Sequence, residues 1–148
     1  MIIEINGLKK HFKNQNVIDI DELKIEDGQI IGLVGNNGAG KTTLFRLILD
    51  LLKSDEGSIL LSPKANTTDD TGIERIINPA MSEEWKQYTG SYIDDGFLID
   101  FLTPEEYFSF IGKVCGIDKD NLDKRLNSFE HFMNGEIIGH KKLIRNLS

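Results

Sequence analysis

The sequence has few of the features that mark secreted or membrane-spanning proteins. Its single cysteine, Cys115, cannot form an internal disulfide, which fits a reducing compartment. No apolar run approaches the roughly 20 residues of a membrane-spanning helix, and the N-terminus lacks a basic segment followed by an apolar one. The sequence therefore predicts neither an integral membrane protein nor a secreted one.

Basic residues are also scarce relative to acidic ones. The sequence contains 17 lysines and arginines and 24 aspartates and glutamates, which gives a formal charge of −7. Such a surface repels nucleic acid unless a local patch overrides it, and the cluster His140-Lys141-Lys142 with Arg145 is short. We therefore expect no nucleic-acid partner. The 148 residues, 39% of them hydrophobic, suffice for one domain with a core.

A glycine-rich stretch carries the clearest functional signal. Gly35 is followed, after four residues, by Gly40-Lys41-Thr42, which is the phosphate-binding pattern G-x-x-x-x-G-K-[ST]. Small residues let successive backbone N–H groups converge on an anion. A lysine at this place can reach terminal phosphates, and the hydroxyl after it can hold Mg²⁺. The alternative is a glycine-rich turn that matches the pattern by chance.

The flanking residues favour phosphate binding over a chance match. Before the loop, Ile30, Ile31, Leu33 and Val34 form a short apolar run, which predicts a buried parallel strand. After it, apolar residues recur at helical spacing and predict a helix over Lys41 to Lys53. A strand, a loop and a helix in this order are the context that the motif requires.

The rest of the chain predicts an antiparallel ribbon at the start and helices at the end. Met1 to Phe12 and Val17 to Glu26 alternate as strands do. Thr103-Pro104-Glu105-Glu106 is a capping-box helix start, and a second helix is predicted from Asp120 to Met133. We therefore divide the chain into a ribbon with a phosphate-loop core, 1–100, and a helical subdomain, 101–148.

In the order of these pieces the chain resembles the nucleotide-binding domain of ABC (ATP-binding cassette) ATPases. Ser54-Asp-Glu-Gly-Ser-Ile59 and Leu102-Thr-Pro-Glu-Glu106 match further family stretches. The resemblance implies an α/β fold of the P-loop NTPase, ABC type, with an antiparallel β ribbon and a helical lobe. It also implies ATP and Mg²⁺ as ligands. The implied ATP-binding residues are Phe12, Gly35, Asn36, Asn37, Gly38, Ala39, Gly40, Lys41, Thr42 and Thr43.

Two implied residues lie outside the loop. Phe12 occupies the position of the family's adenine-stacking aromatic, and such stacking contributes roughly 1–3 kcal/mol in other base-binding proteins. The alternative for Phe12 is a strand residue that faces the core. Asp94 stands where the family has a glutamine that helps to hold Mg²⁺ and water, and Asp95 competes for this assignment. The implied metal ligands are thus Thr42 and Asp94, and a solvated acidic turn is the alternative for the latter.

The resemblance stops within the family signature. Leu147-Ser148 matches its first two residues, and the catalytic Asp-Glu strand and switch histidine have no counterpart in the sequence. We therefore expect an N-terminal portion of a longer domain, an incomplete sheet that favours self-association, weak or no nucleotide binding by this chain, and no turnover. The resemblance implies transmembrane permease subunits and a homo- or hetero-dimer of ATP-binding domains as partners, at the cytoplasmic face of the membrane.

Three functions remain open at this point. The first is the ATP-binding subunit of an ABC transporter, which couples ATP binding and hydrolysis to transport. The second is a nucleotide-binding regulatory module that does not hydrolyse. The third is another P-loop NTPase or a kinase, which would need a lid-like arginine cluster; Arg46, Arg75, Arg125 and Arg145 form none in the sequence.

Overall fold

A computed structural model describes residues 1–63, 75–94, 96 and 98–147. Within the chain there are two units, Met1–Ser91 and Tyr92–Ser148. The first contains the sheet and the glycine-rich loop, and the second contains most of the helices. We describe each unit by itself.

The sheet of the first unit has three antiparallel strands in the order β2-β1-β3. Strand β1 (Ile2–Phe12) and strand β2 (Gln15–Ile25) form the predicted ribbon, and strand β3 (Glu56–Ser62) pairs with the other edge of β1. The tight turn between β1 and β2 places Lys13 at a positive φ of 54°. Ile77 extends the sheet through an isolated bridge to Leu61.

The core of the first unit lies between this sheet and the helix that follows the loop. Ile5, Leu8 and Leu61 are the largest fully buried side chains, and Trp85 belongs to the same cluster. Trp85 lies in a 3₁₀ helix, Glu84–Tyr88. Helix α1 (Lys41–Ile48) contributes two buried leucines, Leu44 and Leu47, to the cluster. Burial of this apolar surface is what stabilises the ribbon and the helix together.

The buried strand predicted at Ile30–Val34 is wrong for this structure. The segment pairs with no strand among the described residues, and Ile30 and Val34 are 99% and 94% exposed. A parallel strand is stable only between neighbours that satisfy its backbone groups and cover both faces. The segment has the composition of such a strand but lacks these neighbours among the described residues.

Helix α1 is confirmed, but it is shorter than the predicted span to Lys53. It ends at Ile48, and Asp50 adopts a left-handed φ of 50°. The N–H groups of Leu51 and Leu52 then donate to the Arg46 carbonyl at 2.9 and 3.2 Å. This reversal packs Leu52 against the core, so tertiary packing ends the helix before its apolar pattern does.

In its described residues the second unit contains three α-helices, α2 (Pro104–Val114), α3 (Lys119–Ser128) and α4 (Glu130–Met133), and a 3₁₀ helix, Ile144–Asn146. The capping box at Thr103 is confirmed, since Glu106 N donates to Thr103 Oγ1 at 3.3 Å and Thr103 N donates to Glu106 Oε2 at 2.9 Å. The single helix predicted from Asp120 to Met133 is instead interrupted at Phe129, where ψ is 4°. Helix α3 fully buries none of its residues, and only Leu122 and Leu126 are partly buried, so little packing favours a continuous helix.

Candidate functional site

The backbone of the glycine-rich loop requires glycine at two positions. Gly38 and Gly40 have φ values of +85° and +89°, a region that residues with a side chain rarely adopt. At Gly40 a Cβ would also lie 2.7 Å from the carbonyl oxygen of Val17, so β2 passes directly against this point. Ala39 N donates to the Asn36 carbonyl at 3.1 Å and closes the turn between them. The motif glycine at 40 is thus fixed by both conformation and contact.

The loop leads directly into the N-terminus of α1. Gly40 is the N-cap residue, and no side chain caps the first turn. The first turn contains no acidic residue either. The N–H groups of a first helical turn lack intrahelical acceptors and carry the positive end of the helix dipole. A helix N-terminus that has neither a capping side chain nor an acidic residue in its first turn is suited to bind an anion such as phosphate.

Lys41 directs its ammonium group back over the loop. Its Nζ donates to the carbonyl oxygens of Gly35 and Asn36 at 2.5 and 2.8 Å. An ammonium group has three donors, so these two bonds leave capacity for a third acceptor. The two carbonyl bonds hold a positive charge at the mouth of the loop, next to the α1 N-terminus.

A cleft of about 240 Å³ lies beside the loop within the first unit. One wall is the β2 segment from Val17 to Ile20, and the other contains Ala39, Gly40 and Lys41. The sequence did not identify the β2 wall. Glycine at position 40 indicates that some backbone comes close, but only the fold identifies Val17 as that neighbour.

Phe12 lies at the end of β1 and is 46% exposed. This exposure argues against the alternative of a core-facing ring. The ammonium group of Lys10 lies over the ring, 5.7 Å from its centroid. Phe12 is therefore an exposed aromatic surface with a cation on one side, and its contact with a base stays a prediction.

Asp55 was not singled out by the sequence, yet it organises this end of β1. It lies just before β3, and its carboxylate accepts hydrogen bonds from Lys10 Nζ at 2.8 Å and from the His11 backbone N–H at 2.6 Å. These two bonds hold the pKa of Asp55 below its ordinary value, the Lys10 bond contributing most. Asp55 lies within the family-like stretch Ser54–Ile59, but the resemblance does not distinguish the aspartate from its neighbours.

The two proposed metal ligands belong to different units, and their joint role stays a prediction. Thr42 is exposed in the first turn of α1, in the first unit, whereas Asp94 belongs to the second unit. Asp94 Oδ1 accepts a hydrogen bond from Gly96 N at 3.0 Å, two residues further along the chain. Asp95, the competing residue, lies outside the described residues. Among the residues that the structure describes, no group of three or more acidic, histidine or cysteine side chains is arranged to hold a metal ion.

Comparison with known proteins identifies the family. The family model described as "ABC transporter" matches residues 18–148, which is most of the chain. The chain belongs to this family. The fold class predicted from the sequence is confirmed. Among the described residues, the sheet has three antiparallel strands.

Individual relatives are ATP-binding proteins of transporters. The zinc import ATP-binding protein ZnuC of Pseudomonas fluorescens (strain Pf0-1) is 49% identical over 63 residues, 43% of this chain and 24% of that protein. The methionine import ATP-binding protein MetN 3 of Shouchella clausii is 32% identical over 129 residues, 84% of this chain and 35% of that protein. The chain thus spans a quarter to a third of the length of these two relatives.

A solved structure of an ATP-binding subunit of an ABC transporter has the same fold. The TM-score is 0.76 at 22% identity, and the match covers 100% of this chain and 56% of that one. No helix in the described part of the chain is both long and apolar enough to cross a membrane.

Proposed function

We propose that this chain is the ATP-binding part of an ABC transporter ATPase subunit and that it holds the triphosphate of ATP in the loop Gly35–Thr43. The observation that carries the proposal is the α1 N-terminus. It has no capping side chain and no acidic residue, and the Lys41 ammonium group lies at the loop mouth. Three independent features therefore favour an anion at one point.

Each site residue then has a separate role. The backbone N–H groups of the loop donate to the phosphates, and Lys41 exchanges a carbonyl partner for a terminal phosphate oxygen. Thr42, exposed at the start of α1, supplies a hydroxyl ligand to Mg²⁺. Phe12 stacks on the adenine, and Asp94 contributes to Mg²⁺ or water binding in the assembled transporter.

Hydrolysis and transport belong to the longer protein in this proposal. Attack by water needs a carboxylate that orients it, in addition to the loop, Lys41 and Mg²⁺. We expect residues outside this chain to supply that group, a second ATP-binding domain to complete the site, and transmembrane permease subunits to hold the protein at the cytoplasmic face of the membrane. Residues 1–100 would serve nucleotide binding, and residues 101–148 would form the helical subdomain.

Calorimetric titration of the chain with magnesium ATP tests the proposal. Loss of a charged hydrogen-bond donor costs about 1.5–3 kcal/mol, so Lys41→Ala should weaken binding roughly tenfold to a hundredfold. Lys53→Ala is the matched control, because Lys53 is an exposed lysine outside the loop. It should bind ATP as the unaltered chain does.

The titration has two outcomes that contradict the proposal. One is equal weakening by Lys41→Ala and Lys53→Ala, which would indicate only a general charge effect. The other is no binding at millimolar magnesium ATP; weak binding, which the incomplete family pattern leads us to expect, agrees with the proposal. A phosphate-release assay on the same samples should show no turnover, and Lys41-dependent turnover would overturn the assignment of hydrolysis to residues outside the chain.

A further inference from the structure

Asp55 connects three neighbouring residues of β1, one through its backbone N–H and two through its carboxylate. Asp55 N donates to the Lys9 carbonyl at 2.9 Å, and the side chain accepts from Lys10 Nζ and from His11 N. This contact crosses 44 to 46 positions of sequence, so it fixes the end of one strand against the start of another. The residue that follows these partners along β1 is Phe12.

The neighbouring ion pair provides a contrast on the same strand. Lys9 Nζ lies 3.1 Å from a Glu56 carboxylate oxygen, and the two side chains are 37% and 61% exposed. The Lys10 and Asp55 side chains are 13% and 40% exposed, and the Asp55 carboxylate also accepts a hydrogen bond from the His11 backbone N–H. Solvated pairs contribute little because water screens them and their side chains remain free to move. The Lys10–Asp55 pair is therefore the less solvated of the two and has the additional backbone hydrogen bond.

Lys10 connects this pair to the exposed ring. Its ammonium group lies over one face of Phe12 at 5.7 Å from the centroid, within the range of a cation–π contact. Asp55 thus restrains Phe12 in two ways: it fixes the backbone of the preceding residue, His11, and it holds the cation against the ring.

We propose that Asp55 is a positioning residue for base recognition: with Lys10 it holds the Phe12 ring so that its other face receives the base of the nucleotide. The proposal rests on the proposed function and assigns Asp55 an effect on the base alone, without any effect on the phosphates. Pre-ordering the ring lowers the entropy that stacking must overcome. Asp55 should therefore raise the affinity of the chain for ATP and leave its affinity for a bare triphosphate unchanged.

The test compares magnesium ATP with magnesium tripolyphosphate, which has the phosphates without the base. Phe12→Ala should lower ATP affinity about fivefold to a hundredfold and leave tripolyphosphate affinity unchanged. Asp55→Ala and Lys10→Met should each lower ATP affinity about two- to fivefold, again with unchanged tripolyphosphate affinity. Lys9→Met, which breaks only the solvated pair, is the matched control and should change neither.

A double-mutant cycle separates positioning from general loosening of the strand. In the Phe12→Ala background, Asp55→Ala should have no further effect on ATP affinity, because the residue through which it acts is gone. Full additivity of the two substitutions would overturn the proposal. So would an equal fall in ATP and tripolyphosphate affinity, or unchanged ATP affinity in both Asp55→Ala and Lys10→Met. If the Asp55→Ala chain does not fold, the ATP and tripolyphosphate affinities of Lys10→Met test the proposal instead.

The two ligands also separate failure of this proposal from failure of the proposed function. If the unaltered chain binds tripolyphosphate in a Lys41-dependent manner but ATP no more tightly, the phosphate site stands and the role of Asp55 is refuted. If the unaltered chain binds neither ligand, both proposals are refuted.

Discussion

The two segments that flank the glycine-rich loop have similar apolar content and different outcomes. Helix α1 forms after the loop and buries Leu44 and Leu47. The segment Ile30–Val34 precedes the loop, has no strand partner among the described residues and exposes its apolar side chains. The loop lies between an ordered helix and an unpaired segment.

The difference shows what each kind of element needs from the rest of the protein. A helix satisfies its backbone hydrogen bonds internally and needs packing on one face only. A parallel strand needs neighbours at both edges and cover on both faces. The β2-β1-β3 sheet covers α1, but it supplies no partner for Ile30–Val34 within the described residues. The half of the loop at the α1 N-terminus, where we propose that the anion binds, is thus the half that this chain can stabilise.

The largest expected effect contrasts two isoleucines. Ile5 is 0% exposed between β2 and β3, and Ile5→Ala should lower the free energy of unfolding by about 2–5 kcal/mol. Ile30 is 99% exposed, and Ile30→Ala should change the free energy of unfolding by less than about 0.5 kcal/mol. Urea denaturation of the two variants measures both. A cost at Ile30 close to the cost at Ile5 would mean that the segment before the loop is buried in solution.

A second, smaller effect concerns the two glycines with positive φ in the loop. Alanine at Gly38 meets no atom within 4 Å and should cost about 1–2 kcal/mol for the left-handed backbone alone. Alanine at Gly40 also meets the Val17 carbonyl at 2.7 Å, so Gly40→Ala should destabilise the chain by about 1–3 kcal/mol more than Gly38→Ala. Thermal unfolding compares the two. Equal costs would contradict the close approach of β2 to the loop.

The smallest expected effect contrasts the N-termini of α1 and α2. Thr103 caps α2 with its hydroxyl, and Thr103→Ala should destabilise α2 by about 1 kcal/mol, seen as faster amide hydrogen exchange in its first turn. Helix α1 has no such cap, and its first turn should instead gain protection when magnesium ATP is added. If ATP slowed amide hydrogen exchange in the first turn of α2 but not in that of α1, the proposed binding of ATP at α1 would be contradicted.

The sequence predicted the elements whose signals are local. The capping box at Thr103, the β1–β2 ribbon and the start of α1 at Lys41 depend on neighbouring residues, and each is confirmed. The early end of α1 and the interruption at Phe129 were not predicted, because tertiary packing decides where an apolar pattern stays helical. The exposure of Ile30–Val34 was missed for the same reason, since strand pairing is not local.

In the candidate site, too, residues with a local sequence signal were predicted and residues that depend on tertiary contacts were not. The loop residues were predicted from a motif whose fixed positions each have a physical requirement. Gly40 has a positive φ, and Lys41 Nζ donates to two loop carbonyls, while the contact of either residue with phosphate stays a prediction. Val17 and Asp55 could not be found this way, because each acts through a contact between segments distant in sequence. Phe12 was selected by resemblance, and its exposure is consistent with that choice.

An NMR titration of the ¹⁵N-labelled chain with magnesium ATP tests the central claim, that the loop and the α1 N-terminus bind the triphosphate. We predict saturable shifts of the backbone amide resonances from Gly38 to Thr43, lost in Lys41→Ala and retained in Lys53→Ala. Shifts confined to residues outside the loop, or an identical titration of the Lys41→Ala chain, would contradict the claim.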